Sequence, residues 1–451
     1  MQDLPQRRLT AAVSPGNIAA MPSTSWGYRA ALRLGAAMAP SLGVFSPKVS
    51  RAIAARRSAG QRLLDWARSN RDHSRPLVWF HAASVGEGLQ AESVLRHLRR
   101  LRPDSQVIYT HFSPSAETFA RRLPVDAVDY LPYDLPGHMD RLLSALHPDL
   151  LVFSKLDVWP ELSTRASTTG TEVAMVAATV SPGSSRLRWP ARPLLTPGYR
   201  AVAAATAISS EDAARLARLG VAPGRIQVLG DPRFDSVMEK LRAVSSEEPL
   251  LRFGHGAPTM VAGSTWPRDE SVLLRAFAAV RRCHPEARLI LVPHEPTGAH
   301  LELIDRTAVA VGLPAPVRLS VAAGPAPLLV IDRLGVLAAV YGAGTMAFVG
   351  GGFGRAGLHS VLEPAAWAVP VGFGPRWGNS RDAALLLEGR GGAALSRLGT
   401  RKAAAELEKQ WNAWITDDVE RRVQGIRARE VVERGLGASV RSAEMLVRLL
   451  K

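Results

Sequence analysis

A glutamate at the end of an apolar run is a first candidate for chemistry. The segment Trp79-Phe80-His81-Ala82-Ala83-Ser84-Val85-Gly86-Glu87 passes from an apolar strand pattern through a glycine turn to a carboxylate. Because ligands of open α/β sheets gather at the carboxyl ends of strands, Glu87 is a candidate general base, and Ser84 and Gly86 are candidate substrate contacts. The pattern Ser84-x-x-Glu87 is equally typical of a helix capping box, which needs no substrate. The residues alone leave both interpretations open.

A glycine-rich segment in the second half of the chain is a candidate phosphate site. Gly350-Gly351-Gly352-Phe353-Gly354-Arg355-Ala356-Gly357-Leu358-His359 follows an apolar run, and Glu363 comes four residues later. Such a loop leaves backbone N–H groups free to approach phosphate, and the next helix adds its positive end. We predict that His359 and Glu363 share one helix face, where the carboxylate could accept hydrogen bonds from a ribose diol. The glycine run by itself is also compatible with an ordinary turn.

Two series of alternating elements must position these residues. Short apolar runs alternate with amphipathic segments, first from Leu77 to about Asp235 and then again from Thr259. This alternation predicts mostly parallel, doubly wound sheets. The predicted strands are Leu77–Ala83, Val107–Thr110, Leu150–Phe153, Glu172–Ala178, Ile226–Leu229, Thr259–Gly263, Arg288–Val292, Leu328–Ile331, Met346–Val349 and Val369–Gly372. The predicted helices include Leu89–Leu101, Gly137–Leu146, Glu211–Leu219, Glu270–Arg282, Ala299–Val311, Ser360–Ala368 and Ala383–Leu387.

The length of 451 residues favours two domains, and the composition suggests where they divide. A stretch rich in Ser, Glu, Gly and Pro is the predicted linker. Helices are expected over Ala403–Leu450, and in two-domain folds of this kind a terminal helix can cross back. The predicted segments are a disordered extension (1–25), an interfacial segment (26–57), a first domain (58–242), the linker (243–258) and a second domain (259–451).

Charge and composition restrict the partners. The formal net charge of +16 favours anionic ones, but aromatic residues make up only 6% of the chain, and no basic run with interleaved aromatics indicates nucleic-acid binding. The single cysteine, Cys283, excludes an internal disulfide framework and the usual multi-thiolate zinc sites. Residues 26–57 place Trp26, Tyr28 and Arg56 beside apolar groups, which is typical of a membrane-interface segment and equally of a helix that covers a domain.

Several motifs occur together in an order that resembles one family. They resemble 3-deoxy-D-manno-octulosonic acid (Kdo) transferases, and the resemblance covers about residues 26–395. It implies the GT-B fold, with two Rossmann-like α/β domains facing each other across a cleft, and the transfer of Kdo from CMP-Kdo to a lipid A precursor at the cytoplasmic face of the inner membrane. The motifs are His81–Glu87, Tyr130-Leu131-Pro132-Tyr133-Asp134, Trp159-Pro160, Gly230-Asp231-Pro232-Arg233-Phe234-Asp235, Ala262-Gly263-Ser264-Thr265 and Gly350–Pro364.

The resemblance also implies roles for individual residues. Glu87 would be the general base, and the second domain would hold the CMP-sugar donor without a metal or other cofactor. The expected partners are this donor, an anionic glycolipid acceptor and the membrane surface, but no nucleic acid. By the same resemblance the donor would contact Gly351, Gly352, Gly357 and His359 near its phosphate, Glu363 on its ribose side, and Asn379 and His294. Arg355, Arg376 or His294 would help to hold the departing phosphate.

The chain departs from the family pattern on the acceptor side. Where the family usually reads Glu-Thr-Glu-Leu-Trp-Pro, this chain has Lys155-Leu156-Asp157-Val158-Trp159-Pro160. An ammonium in place of a carboxylate reverses the local charge and changes how neighbouring groups titrate. Lys155 and Asp157 are therefore candidate site residues of unassigned role. Two other functions stay open: another GT-B enzyme, such as a nucleotide-sugar transferase or epimerase, and a non-catalytic saccharide- or lipid-binding homologue.

Overall fold

The chain forms two compact units in a computed structural model that describes residues 24, 26–43, 47–354, 357–396 and 399–450. Unit 1 holds the described residues up to Ala91, then Leu98–Leu229 and the chain from Ser442 onward. Unit 2 holds Glu92–His97 and Gly230–Arg441. Apart from Thr24, the predicted disordered extension (1–25) lies outside the described residues.

Unit 1 is built on a parallel sheet of seven strands in the order β3-β2-β1-β4-β5-β6-β7. Its strands are β1 (Leu77–His81), β2 (Gln106–His111), β3 (Ala127–Tyr130), β4 (Leu150–Ser154), β5 (Glu172–Ala178), β6 (Ala204–Ala207) and β7 (Ile226–Val228). Its helices are α1 (Trp26–Gly43), α2 (Pro47–Asn70), α3 (Val85–Leu101), α4 (Glu117–Ala120), α5 (Pro136–Leu146), α6 (Pro160–Thr168), α7 (Ala191–Arg200) and α8 (Ser210–Leu219). Short 3₁₀ turns cover Pro114–Ala116, Ser185–Leu187 and Pro223–Arg225.

Unit 2 repeats this plan with a second seven-stranded parallel sheet, in the order β10-β11-β9-β8-β12-β13-β14. Its strands are β8 (Thr259–Thr265), β9 (Arg288–Pro293), β10 (Val317–Arg318), β11 (Leu328–Val330), β12 (Met346–Val349), β13 (Val371–Phe373) and β14 (Gly392–Ala394). The helices that follow β7 in the chain are α9 (Pro232–Arg242), α10 (Pro267–Cys283), α11 (Gly298–Ala310), α12 (Leu337–Val340), α13 (Leu362–Ala366), α14 (Arg381–Glu388), α15 (Thr400–Thr416), α16 (Asp418–Arg434) and α17 (Ala438–Val447). Further 3₁₀ turns cover Pro249–Gly254, Leu319–Val321 and Tyr341–Ala343.

The central strands are buried on both faces, which explains their continuous apolar sequences. All five residues of β1 are buried, and Trp79 packs with Phe153 of β4 in the core of unit 1. In unit 2, Phe348 of β12 packs with Phe277 and Trp411 from α10 and α15. Helices therefore cover these sheets, as expected of parallel strands joined by helical crossovers. The predicted alternation of strands and helices is confirmed.

The structure divides the chain earlier than the sequence suggested. Unit 2 begins at Gly230, before the predicted linker (243–258). That stretch contains a 3₁₀ turn at Pro249–Gly254, and Leu250 is buried in the core of unit 2. At the other end of the chain, the residues from Ser442 onward belong to unit 1 rather than to the predicted second domain (259–451).

The predicted interfacial segment (26–57) contains α1 and the first part of α2. Trp26 and Leu34 of α1 are largely exposed, whereas Tyr28 is buried and its hydroxyl donates to Asp134 Oδ2 at 2.8 Å. Arg56 of α2 is also buried. Two of the groups expected at an interface therefore pack into unit 1 instead. Over the described part of the chain, no helix combines the length and the apolar character that a membrane span requires.

Candidate functional sites in the two units

Glu87 lies in the first turn of α3, directly after β1. The backbone of Ser84 is extended, and its N–H donates to Glu87 Oε2 at 3.1 Å, which is the return bond of a capping box. The Ser154 hydroxyl at the end of β4 donates to the Glu87 backbone oxygen at 2.8 Å and fixes the start of the helix against the sheet. The capping interpretation of Ser84-x-x-Glu87 is confirmed. The catalytic interpretation, with Ser84 and Gly86 as substrate contacts, stays a prediction.

The surroundings of Glu87 raise the pKa of its carboxyl group. Burial is the largest cause, and the negative charge of Asp157 adds to it. The positive charge of Lys155 and backbone hydrogen bonds from Ala83 and Ser84 act in the opposite direction without cancelling the shift. A carboxylate with a raised pKa is a stronger base than an exposed one, so the capping group also has a property that a general base needs.

The fold of unit 1 brings Lys155 and Asp157 to this carboxylate. Strands β1 and β4 are neighbours, and His81 is paired with Phe153. Lys155 follows β4 with a positive φ of 64°, and its N–H donates to the Val176 oxygen at 2.8 Å. The carboxylate of Asp157 forms an ion pair with Arg186. One positive and one negative side chain, Lys155 and Asp157, therefore act on Glu87 at the carboxyl end of the sheet.

His81 of the first motif is a structural residue. It is buried, its Nδ1 lies 3.0 Å from the Thr110 hydroxyl, and its Nε2 accepts a hydrogen bond from the Trp159 indole at 2.9 Å. Burial lowers the pKa of His81 to about 3, with a smaller contribution from His111. A neutral imidazole with both nitrogens engaged ties the start of α6 to the sheet.

The glycine loop of unit 2, Gly350–Gly357, is shaped by close packing; its residues Arg355 and Ala356 lie outside the described part. Gly351 has a φ of +94°, and a Cβ there would lie 2.1 Å from the Gly357 oxygen. At Gly352 a Cβ would lie 2.7 Å from the Gly374 Cα atom. Only glycine fits these two positions, because any side chain would meet backbone.

Three N–H groups of the glycine loop are bonded within the protein rather than free. The N–H of Gly350 donates to the Gly263 oxygen at 2.9 Å, and that of Gly354 to the Gly351 oxygen at 3.1 Å. The N–H of Gly351 donates to Asp269 Oδ2 at 2.9 Å. The prediction that this backbone is left open for phosphate is therefore wrong for these three groups. The bonds of Gly350 and Gly351 fix the loop to β8 and to the first turn of α10, and the bond of Gly354 closes the loop on itself.

Three rings form an aromatic cluster beside the glycine loop: Trp266, His294 and His359. The centroids of the two histidines are 4.5 Å apart, and that of Trp266 lies 4.8 Å from His294. The Trp266 indole N–H donates to His359 Nε2 at 3.0 Å. Burial and the nearby His294 lower the pKa of His359 to about 4. His359 is therefore neutral near pH 7, and its remaining proton is on Nδ1.

Glu363 and His359 do not share a helix face, so this prediction is wrong. The helix α13 begins at Leu362, whereas His359 precedes it in irregular backbone fixed by its N–H to the Gly350 oxygen at 3.2 Å. Glu363 faces α9, where Lys240 Nζ lies 3.4 Å from its Oε1. The carboxylate is thus ion-paired within unit 2.

The remaining predicted donor residues lie around the glycine loop. Asn379 lies against Gly357, where a Cβ would approach the Asn379 Nδ2 atom to 2.6 Å. The Arg376 N–H donates to the Gly352 oxygen at 2.9 Å, and its side chain is exposed. Unit 2 therefore brings together the loop glycines, His294, His359, Asn379 and Arg376. Arg355 lies outside the described residues, and Glu363 is turned toward Lys240.

Comparison with known proteins shows which family this chain resembles. Residues 57–236 match the family model of 3-deoxy-D-manno-octulosonic-acid transferases (kdotransferases). The chain is 29% identical over 403 residues to the 3-deoxy-D-manno-octulosonic acid transferase of Bordetella pertussis, covering 80% of this chain and 90% of that protein. It is 25% identical over 379 residues to the enzyme of the same name from Haemophilus influenzae, covering 82% and 86%. The chain is therefore similar to named Kdo transferases over most of its length.

Solved structures agree on the fold. The UDP-GlcNAc 2-epimerase of Neisseria meningitidis, solved with bound UDP-GlcNAc, superposes with a TM-score of 0.57 at 12% identity, covering 83% of this chain and 99% of that one. At this identity the likeness concerns the fold alone. The predicted fold class, two Rossmann-like doubly wound domains of the GT-B type, is confirmed, and so is the predicted enzyme class, a glycosyltransferase.

Two residues beside the glycine loop escaped the sequence analysis. Trp266 directly follows the Ser264-Thr265 pair of a recognised motif, and Asp269 stands three residues later in a capping position. The Asp269 carboxylate accepts from the Trp266 and Gly351 N–H groups, both at 2.9 Å. The capping pattern could have predicted that Asp269 caps α10. The sequence near Asp269 does not indicate its contact with the glycine loop. Within the described residues, no group of three or more His, Cys, Asp or Glu could hold a metal ion.

Proposed function

We propose that this protein transfers Kdo from CMP-Kdo to a lipid A precursor in lipopolysaccharide core synthesis, at the cytoplasmic face of the inner membrane. The observation that carries the proposal is the buried Glu87 carboxylate at the carboxyl end of β1, with a raised pKa, in a chain similar to named Kdo transferases over most of its length. Exposed Trp26 and Leu34 on α1 support a position at a membrane surface.

The proposed reaction is a direct displacement. An oxygen of Glu87 takes the proton of an acceptor hydroxyl while that hydroxyl oxygen attacks the anomeric carbon of Kdo. The bond from that carbon to the phosphate oxygen of CMP breaks, and CMP leaves with the electron pair. Glu87 then carries the proton and releases it to solvent. Such a base contributes about 10²–10⁴-fold to the rate.

Unit 2 would bind the donor and stabilise the departing phosphate. His359 is suited to this because Nε2 is occupied by Trp266, which leaves an Nδ1–H donor. Arg376 and His294 lie at the same loop and would add donors to the phosphate oxygens. The ammonium of Lys155 would help to keep Glu87 ionised before the acceptor binds.

The decisive experiment incubates the purified protein with CMP-Kdo and a lipid A precursor and measures the lipid by mass spectrometry. Addition of one or more Kdo residues is expected. The Glu87→Gln variant should bind CMP-Kdo normally and lose about 10²–10⁴ in rate, since glutamine preserves the capping geometry but takes no proton. The control, Glu92→Gln, removes a carboxylate that pairs with Arg96 on the same helix and should react like the wild type. Normal turnover by Glu87→Gln would remove Glu87 from the mechanism.

The nucleotide of the donor can be tested separately. Ligands that bind the folded state raise the melting temperature, so CMP, UDP and GDP compounds can be compared in one series. Stabilisation by CMP compounds alone is expected. Stabilisation by UDP sugars alone would contradict the proposed donor and favour a nucleotide-sugar enzyme of another kind.

A further inference from the structure

Unit 1 contains a basic cavity away from Glu87, with a volume of about 310 Å³. It is formed by α2, by the segment that follows β3 and by α5. Its size falls at the lower end of the range for small-molecule sites. Among the residues that line this basic cavity are Arg56, Arg57, Tyr133, His138 and Arg141.

The lining of the basic cavity carries positive charge without compensation. Three arginines contribute to it, and no aspartate or glutamate is among the lining residues. Arg57 and Arg141 are exposed, and neither forms an ion pair with a carboxylate in the part of the chain that the structure describes. Arg141 instead donates from Nε to the Gly137 oxygen at 3.0 Å. The field inside the cavity therefore favours an anion.

Arg56 is the buried residue of the basic cavity. Its side chain is 7% exposed, and its guanidinium lies over the Phe112 ring, with Cζ 3.6 Å from the ring centroid. Nη2 donates to the Phe112 oxygen at 2.6 Å, whereas Nε is buried and has no hydrogen-bond partner among the described residues. Stacking thus fixes the plane of the guanidinium and leaves one donor unsatisfied.

A buried cation with an unsatisfied donor is unfavourable by itself. Burial lowers the pKa of Arg56, so the cavity destabilises the charge that it contains. The hydroxyl of Tyr133, which lines the same cavity, is buried beside this guanidinium and raises the pKa of Arg56 by less than burial lowers it. An oxyanion in the cavity would offset the arginine charge.

We propose that the basic cavity binds a phosphoryl group. A tetrahedral phosphate presents several acceptor oxygens, and planar guanidinium groups bind it with paired N–H donors. The phosphate could belong to a soluble compound or to the head group of a membrane lipid, because α2, which lines the cavity, packs against α1, and α1 carries the exposed Trp26 and Leu34. The proposal does not depend on the transferase reaction.

The test is isothermal titration of the full chain with inorganic phosphate. The double variant Arg57→Gln/Arg141→Gln removes two exposed lining charges, so it should fold normally. Its phosphate affinity should fall by about tenfold or more, because each guanidinium that is removed takes a charge-assisted hydrogen bond from the phosphate. The matched control, Arg122→Gln/Arg218→Gln, removes two exposed arginines of unit 1 outside the cavity and should keep its affinity within about twofold.

Vesicle flotation distinguishes the source of the phosphate. Vesicles of phosphatidylcholine with phosphatidic acid are compared with phosphatidylcholine alone. If the cavity holds a lipid head group, the double variant should float less than the control variant on the vesicles that contain phosphatidic acid. If the two variants float equally and the double variant has lost its affinity for inorganic phosphate, the ligand is a soluble compound. Absence of phosphate binding by the wild type, or equal affinities of the double variant and the control, would overturn the proposal.

Discussion

The indole N–H of Trp266 donates a hydrogen bond to Nε2 of His359 at 3.0 Å, and this bond determines which nitrogen of the imidazole carries the proton. A histidine whose Nε2 accepts has its hydrogen on Nδ1. Burial and the nearby His294 keep the ring neutral by lowering its pKa to about 4. Trp266 is thus a positioning residue for a histidine that the proposed function places at the donor phosphate.

Replacement of Trp266 by phenylalanine tests this relationship. Phe keeps an aromatic ring but removes the donor, so Nε2 of His359 becomes free to take a proton. Loss of a hydrogen bond to the neutral ring should raise the pKa of His359, while burial and His294 still hold it below its usual value near 6.5; NMR titration of the selectively labelled imidazole measures this rise. Transfer should then decline as the pH falls through the raised pKa, where the wild-type ring is still neutral.

Trp367→Phe is the matched control for this variant. It removes an indole donor elsewhere in unit 2, the bond from Trp367 Nε1 to the Ala338 oxygen at 2.7 Å. The pKa of His359 should stay at its wild-type value in this control. An unchanged His359 pKa in Trp266→Phe would show that the hydrogen bond does not set the protonation of the ring.

The sequence was sufficient to predict the two sheets because their central strands are continuously apolar and buried. The predicted bounds of Glu172–Ala178 and Met346–Val349 agree with β5 and β12. The missed strands lack this signal: β3, β10 and β14 are short edge strands that are only partly buried. The fourth, β6, lies inside its sheet but consists of alanine and threonine, and alanine does not favour strands.

Contacts between distant residues could not be predicted in the same way. Trp266 and His359 are 93 positions apart, and Asp269 and Gly351 are 82 apart. A local sequence pattern predicts which face of a helix or strand is buried, but it does not predict contacts between distant segments. These pairs come into contact only because β8 and β12 are neighbours in the sheet. The same reason explains Glu363, whose partner Lys240 lies on α9.

The stability of unit 1 should fall in acid because of His81. In the folded state the pKa of His81 is about 3, and in the unfolded chain it is near 6.5. Between these values the unfolded chain binds a proton that the folded protein does not, so stability is lost as the pH falls from about 6.5 toward 3. The slope is roughly 1.4 kcal/mol per pH unit for one proton.

Thermal unfolding of His81→Gln at pH 7 and pH 5 measures this effect. The difference between the two melting temperatures should be smaller in the variant than in the wild type, and the remainder reflects other buried groups such as His359. Substitution of the exposed His255 by glutamine should leave the difference unchanged. An identical acid sensitivity of wild type and His81→Gln would rule out His81 as the cause.

Gly351→Ala should disrupt the glycine loop. The left-handed backbone at this residue costs alanine about 1–2 kcal/mol, and the new Cβ would also lie 2.1 Å from the Gly357 oxygen. The melting temperature and the affinity for CMP compounds should both fall. Gly378→Ala, at a glycine whose Cβ would meet nothing within 4 Å, should change neither. Two variants with equal melting temperatures would show that the loop accommodates a side chain at Gly351.

Lys155 and Asp157 should shift the pH profile of the reaction in opposite directions. Lys155 lowers the pKa of Glu87 and Asp157 raises it, so Lys155→Met raises that pKa and Asp157→Asn lowers it. A general base must be ionised, and the acid limb of kcat/KM should therefore move to higher pH in Lys155→Met and to lower pH in Asp157→Asn. Shifts of the acid limb in opposite directions indicate electrostatic control of the Glu87 pKa. A loss of folding would instead lower kcat/KM without moving the acid limb along the pH axis. Shifts of the same sign in both variants would mean that the limb reports a group other than Glu87.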